Sequence, residues 1–159
     1  MTEKEVRDAL QRWLFSIMGV TVIHTYQGGT EPAEPYGVLN LTMSDALHPH
    51  AIVDEFRQID DQAYQAPVRD WYWRFSINVY GPEAATILRR VKTAEKIETA
   101  TAPIRPLIVH ETSQIRDATE LLNEEWQTRA QMDIEIRGIH RDALPIDTIE
   151  EYSFSVDRA

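Results

Sequence analysis

From Trp71 to Tyr80 the chain alternates without a break. Trp71, Trp73, Phe75, Ile77 and Val79 fall at one parity, and Tyr72, Arg74, Ser76, Asn78 and Tyr80 at the other. A period of two belongs to a half-buried β-strand. Five large apolar side chains on one face require something to cover them, so this strand anchors a layered fold and cannot be a surface ribbon. At Gly81-Pro82 the period changes. Gly81 ends the strand, Pro82 suits the first turn of a helix, and Ile87, Leu88, Val91 and Ala94 then recur at helical spacing. Arg89, Arg90 and Lys92 lie off that stripe and are expected on its solvent side.

The same reasoning assigns the rest of the chain. Val6, Leu10, Trp13, Leu14 and Ile17 form the apolar face of an N-terminal helix. Thr2 and Glu5 have the spacing of a capping box, and Gly19 supplies the stop. The β-branched run from Val20 reads as a strand, residues 28–35 as a Gly/Pro loop, and Tyr36–Met43 as a second strand with Leu39, Leu41 and Met43 on one face. Residues 44–68 are expected to form an extended β-hairpin arm turning at Asp60-Asp61, with Pro67 at an edge or bulge. Further strands are expected over 107–115 and 129–138, where Ala130, Met132, Ile134 and Ile136 alternate with Gln131, Asp133, Glu135 and Arg137. Residues 116–126 read as a turn or short helical piece, 140–147 as a loop, and 149–157 as a closing strand with Tyr152, Phe154 and Val156 inward. The fold class is therefore α+β: a mixed, mainly antiparallel sheet flanked by two helices, in one domain over 1–159.

Chemistry is harder to find. The chain has no cysteine, which removes disulfides, thiol nucleophiles and thiolate zinc sites. No phosphate-binding glycine loop and no nucleophile elbow occurs. His48 and His50 form the closest histidine pair, and a small metal-dependent enzyme built on them is one alternative; a solvated loop is the other. The carboxylate pairs Asp60-Asp61, Glu124-Glu125 and Glu150-Glu151 read as solvated charges at turns. Neither catalytic, metal nor cofactor-binding residues are assigned. No apolar run reaches the roughly 20 residues of a membrane span, and the charged N-terminus has no signal-like segment, so a soluble cytoplasmic chain is expected. The net charge of -10 disfavours a grip on nucleic-acid phosphates. It suits solubility, or a wall along which DNA must slide.

Three segments together resemble a known family. "WYWRFSINVYGPEA", "DATELLNEEWQTRAQMDIEIRG" (with Trp126, Arg129, Ala130, Met132, Asp133 and Ile134) and "EPAEPYGVLNL" (with Pro35, Tyr36 and Leu39) occur in the order found in phage neck/tail terminator proteins. Residues 44–67 depart from the family pattern. The resemblance implies a virion protein, assembled in the host cytoplasm, that forms a homo-oligomeric ring, typically a hexamer. Such a ring sits at the head-proximal end of the tail, stops tail-tube polymerisation and docks to the head-side connector, and DNA passes through it. A head-completion adaptor or a tail-tube protein of similar fold is the alternative. Under this reading the subunit contacts fall on Tyr72, Arg74, Asn78, Tyr80, Phe56 and Tyr64, while Asp54, Glu55, Asp60 and Asp61 face the lumen.

Overall fold

The alternating segment is the second half of a longer strand. The computed structural model describes residues 1–26, 28–122 and 124–147. In it strand β4 (Gln62–Tyr80) runs for 19 residues and every other part of the sheet is placed by it. Along one side lie β2 (Tyr36–Ala46) and then β3 (Val53–Ile59). Along the other lie β9 (Arg129–Arg141) and then β10 (Leu144–Ile146). Beyond them β1 (Thr21–His24) pairs parallel with β2, and β5 (Ile108–Thr112) and β6 (Arg116–Asp117) pair antiparallel with β9. The result is the expected mixed, mainly antiparallel sheet.

One face of this sheet carries the core. Trp73, Phe75, Ile77 and Val79 of β4 sit beside Ile136, Ile134, Met132 and Ala130 of β9, all buried. Helices α1 (Glu3–Met18) and α2 (Ala84–Glu95) cover them with Val6, Leu10, Trp13, Leu14 and Met18, and with Ala84, Ile87, Leu88, Val91 and Ala94. Each large aliphatic or aromatic side chain buried in this way contributes about 1.5–3 kcal/mol. The α1 capping box forms as expected: Thr2 Oγ1 accepts from the Glu5 N–H at 3.3 Å, and Glu5 accepts from the Thr2 N–H at 2.7 Å. Gly19, at φ 71°, closes the other end. A one-turn helix α3 (Glu98–Thr101) and a 3-10 turn (Ala102–Ile104) follow α2, and the Ala100 carbonyl accepts from the Trp13 indole N–H at 2.7 Å.

The structure corrects several expectations. A register shift between Leu41 and Met43 moves Met43 opposite Arg74, onto the face away from the helices, so it does not share a face with Leu39 and Leu41. A bulge of one residue inverts every later side chain, and strict alternation in sequence conceals it. Pro82 precedes the helix: Glu83, at φ 62°, is the cap and α2 starts at Ala84. Arg89 and Arg90 are exposed as expected, whereas Lys92 is half-buried, and two of the three cations also bond within the chain. Arg90 donates to the Met18 carbonyl at 3.0 Å, satisfying the C-terminus of α1. Lys92 donates to Thr112 Oγ1 at 3.2 Å and to the Ser113 carbonyl at 2.8 Å. The segment 116–126, expected as a turn or short helical piece, contains β6 and runs into a small hairpin of β7 (Glu120–Leu122) and β8 (Glu125–Gln127), with no helix among its described residues. Strand character also replaces the loop expected over 140–147. The closing strand expected at 149–157 lies outside the described residues.

The arm is present, and it has three strands. The β3–β4 hairpin turns at Asp60-Asp61 as expected, and β10 flanks β4 on its other side. Pro67 explains the break between β9 and β10. Their registers against β4 are continuous, from Val68–Arg141 to Gln65–Leu144, and the interruption falls opposite Pro67. The Gly81 N–H donates to the Thr128 carbonyl at 2.9 Å, so odd-numbered β4 residues turn their backbone toward β9. Pro67 is one of them and has no N–H to donate. Its expected place at an edge is thus met in a different way, by breaking the neighbouring strand.

Gly81 and Gly138 are positions where the fold tolerates no side chain. A Cβ on Gly81, at φ 98°, would lie 2.9 Å from Glu34 Cβ and 3.2 Å from Pro35 Cα. One on Gly138 would lie 2.8 Å from Leu107 Cδ2 and 3.3 Å from the Trp73 ring. Gly81→Ala is expected to cost about 1–3 kcal/mol, read as a lowered urea midpoint with an unchanged slope. Gly138→Ala is expected to cost a similar amount through overpacking.

Candidate subunit-contact surfaces

The sheet face away from the helices carries a cross-strand polar network. On β4 it presents Tyr72, Arg74, Ser76, Asn78 and Tyr80. On β9 the paired residues are Arg137, Glu135, Asp133, Gln131 and Arg129. Arg74 donates to Glu135 at 2.9 Å, and Arg137 donates to the other oxygen of the same carboxylate at 2.8 Å. Gln131 donates to Ser76 Oγ at 2.9 Å. Arg129 donates to Asn78 Oδ1 at 2.9 and 3.1 Å and to Glu120 at 3.0 Å, and its guanidinium lies 5.4 Å from the Tyr80 ring centroid. Tyr80 stacks on Tyr36 at 5.1 Å, and the Tyr36 hydroxyl donates to the Glu31 carboxylate. Burial, with the Glu31 bond added, pushes the Tyr36 phenol up from its ordinary range.

Glu135 is the buried centre of this network, only 6% exposed. Burial alone would raise its pKa. The hydrogen bonds from Arg74 and Arg137 outweigh that effect and hold it below the ordinary carboxylate value. Arg74 comes from β4 and Arg137 from β9 itself, and Arg74 also lies 4.0 Å from Glu111 of β5. The four residues expected on the wet face, Tyr72, Arg74, Asn78 and Tyr80, are thus together. Each is half-buried and bonded within the chain. This makes the surface a preorganised one, with few loose side chains to order on contact.

The arm presents a different kind of surface. Every residue of β3 is exposed, including Val53, Phe56 and Ile59. Phe56 pairs with Gln65, which shares the parity of Trp71 and Trp73, whereas Tyr64 pairs with Arg57 at the parity of Tyr72. Phe56 and Tyr64 therefore occupy opposite faces of the arm. The acids expected at a lumen are likewise divided. Asp54 shares a face with Phe56, and Glu55 lies on the other, bonded to Arg141 at 3.1 Å. Asp60 and Asp61 occupy the exposed hairpin tip. Trp126 sits on β8 with 72% of its surface exposed. Its surroundings give it no core role, and no sequence pattern marked it for contact.

The partners missed from sequence were those on β9. Arg129 and Glu135 appear there as the wet half of an alternating strand, and nothing in the alternation says which β4 residue each will meet. The signal that finds them is register. His48 and His50 are exposed, and no group of three or more metal-ligating side chains converges among the described residues. No helix among the described residues is long and apolar enough to cross a membrane.

Comparison with known proteins then decides the family. The family model described as phage neck terminator protein matches residues 4–158. The chain belongs to the phage neck terminator family. The fold agrees with a solved sheath/tube terminator of an extracellular contractile injection system in its extended state. The alignment has a TM-score of 0.55 at 12% identity and covers 100% of this chain and 64% of that one. The neck terminator chain thus spans somewhat under two thirds of the length of the structure it matches. A second solved structure aligns over 86% of this chain and 95% of its own at 14% identity, with a TM-score of 0.38, too low to bear on the fold. No curated protein matches the chain.

The Glu135 network yields a pH test. A carboxylate depressed in the fold contributes stability that is complete above its unfolded value of 4.5 and is lost as pH falls through its lowered value. Glu135→Gln is expected to cost about 1.5–3 kcal/mol at pH 7, with the gap to the parent chain closing in acid. Urea titrations at neutral and acidic pH measure it. A gap undiminished in acid would assign the loss to packing instead.

Proposed function

We propose that this neck terminator acts by assembly, as one tail-terminator domain over residues 1–159 that closes into a homo-oligomeric ring, a hexamer, at the head-proximal end of a phage tail. There the ring ends polymerisation of the tail tube and joins the tail to the head-side connector. The observation that carries this reading is the family match over residues 4–158. Two features of the structure support it. A three-stranded arm whose β3 residues are all exposed buries little of itself and is suited to lie on a neighbour in a closed ring. The preorganised face of Tyr72, Arg74, Asn78 and Tyr80 offers Tyr and Arg side chains of the kind enriched at contacts. Phe56 and Tyr64, on opposite faces of the arm, would each meet a different surface. The likeness to a sheath/tube terminator in fold supports contact with a tail tube.

Asp60 and Asp61, at the tip of the arm, are assigned to the lumen, joined by Asp54 or by Glu55 according to which face of the arm turns inward. With a chain charge of -10, such a wall would repel DNA phosphates and let the genome pass without binding. The ring belongs to the tail and neck of the virion and is assembled in the host cytoplasm.

Electron microscopy of the purified protein, alone and added to tail tubes, is expected to give discrete rings and tubes capped at one end. Long tubes formed by this chain alone would favour a tail-tube component, and binding to head portals without tails a head-completion adaptor. Replacing Asp60 and Asp61 by lysine is expected to leave folding intact and to reduce infectivity by impairing DNA passage. Unchanged infectivity would move the lumen elsewhere on the chain.

A further inference from the structure

The outer edge of β3 has the character of a docking strand. It is seven residues long, contains neither proline nor lysine, and among the described residues no strand pairs with its far side. Edge strands are usually blunted by proline, short length, bulges or charge; β3 has only the last, and Asp54, Glu55 and Arg57 carry both signs, which a partner strand can match. Val53, Phe56 and Ile59 are 53%, 67% and 47% exposed.

The geometry fixes which backbone groups are free. The two-residue turn at Asp60-Asp61 makes Ile59–Gln62 a hydrogen-bonded pair. Hydrogen-bonded pairs alternate from there, so Val53, Glu55, Arg57 and Ile59 turn their N–H and C=O groups to β4. Asp54, Phe56 and Gln58 turn theirs to the open edge. The Val68 carbonyl, which accepts from Ile52 at 2.8 Å, faces β3 in accord with this phase.

The strand's sequence, Val-Asp-Glu-Phe-Arg-Gln-Ile, complements itself when reversed. We propose that β3 pairs antiparallel with β3 of a second copy of this chain, about a two-fold axis at Phe56, so that two sheets become one. In that register Phe56 meets Phe56 of the second copy and Asp54 meets Gln58, each such pair exchanging two N–H···O=C bonds. Glu55 meets Arg57, Val53 meets Ile59, and both pairs recur by symmetry. All four of these side chains share one face of the arm. The alternatives of the same backbone phase fail on charge: sliding by two residues sets Glu55 against Glu55 in one direction and Arg57 against Arg57 in the other. Opposite charges directly across a strand pair are stabilising and like charges are not, so the sequence selects the register centred on Phe56.

This contact is independent of what the molecule terminates. Its consequence for the ring rests on the assembly reading above: a two-fold contact occupies the edge of the arm, so the free chain is stored as a closed pair and the arm is released to ring neighbours only on separation.

The test is a charge exchange read by sedimentation velocity. The parent chain is expected to dimerise. Glu55→Arg and Arg57→Glu, each alone, place like charges in both pairs and are expected to weaken the dimer about tenfold or more. The double variant is expected to restore it. An equimolar mixture of the two single variants is expected to form a heterodimer, because every pair is then Arg against Glu. The mixture also controls for folding, since a misfolded variant does not reassociate. Phe56→Cys introduces the chain's only thiol and is expected to cross-link to itself on oxidation, the Cα separation of a hydrogen-bonded pair lying within disulfide reach. Val53→Cys is expected not to, because it faces Ile59. A monomeric parent chain, single variants that associate as the parent does, or self-linking at Val53 rather than Phe56 would overturn the proposal. Rings seen or not seen by microscopy bear on the assembly reading alone.

Discussion

The ladder between β4 and β9 runs from Val68–Arg141 to Tyr80–Arg129 without a bulge. A slip of one residue anywhere along it would turn one strand over relative to the other. If β9 slipped, Met132, Ile134 and Ile136 would stand in solvent and Glu135 would lie under the helices. Because burying an unpaired charge costs several kcal/mol, the register is enforced from both sides: by apolar burial on one face and by the Arg74–Glu135–Arg137 contacts on the other. Helices, flanking strands and arm all take their positions from this one alignment.

Much of the architecture was legible in the sequence because it is written locally. The Thr2/Glu5 box, the Gly19 stop, the alternation from Trp71 to Tyr80 and the turn at Asp60-Asp61 each specify structure within a few residues. What could not be read is written between distant residues. Thr42 sits in a run that alternates well enough, and the shift that exposes Met43 appears only against Arg74. Pro67 reads as an edge signal. Its effect falls on the opposite strand, at the break between β9 and β10. Lys92 looks like a solvent-facing cation until the exit of β5 is placed beside it, and the bond from exposed Arg90 to the end of α1 is equally invisible in the sequence. Residues 116–126 read as a turn or short helical piece, and cross-strand pairing overrode that propensity. For the contact surfaces, parity located Tyr72, Arg74, Asn78 and Tyr80 on one face but could not supply their partners on β9.

The two exposed regions of the sheet solve different problems. The central face holds its polar side chains in fixed arrangements, so contact there loses little conformational freedom. The arm leaves both backbone groups and apolar side chains unsatisfied, so contact there gains hydrogen bonds and burial together. A structural virion protein of this family has use for both, one surface to recognise a neighbour by shape and charge and one to bind it firmly.

The distribution of partners along β4 also orders events in time. Its N-terminal half meets β3 across a two-residue turn, and a local hairpin of that kind closes in roughly microseconds. Its C-terminal half meets β9 through contacts such as Arg74–Glu135, 61 residues apart in sequence, and pairings so distant delay folding toward milliseconds or longer. The arm's own pairing is thus the quickest of the sheet to close and, with β3 exposed throughout, the least able to persist until β9 is in place.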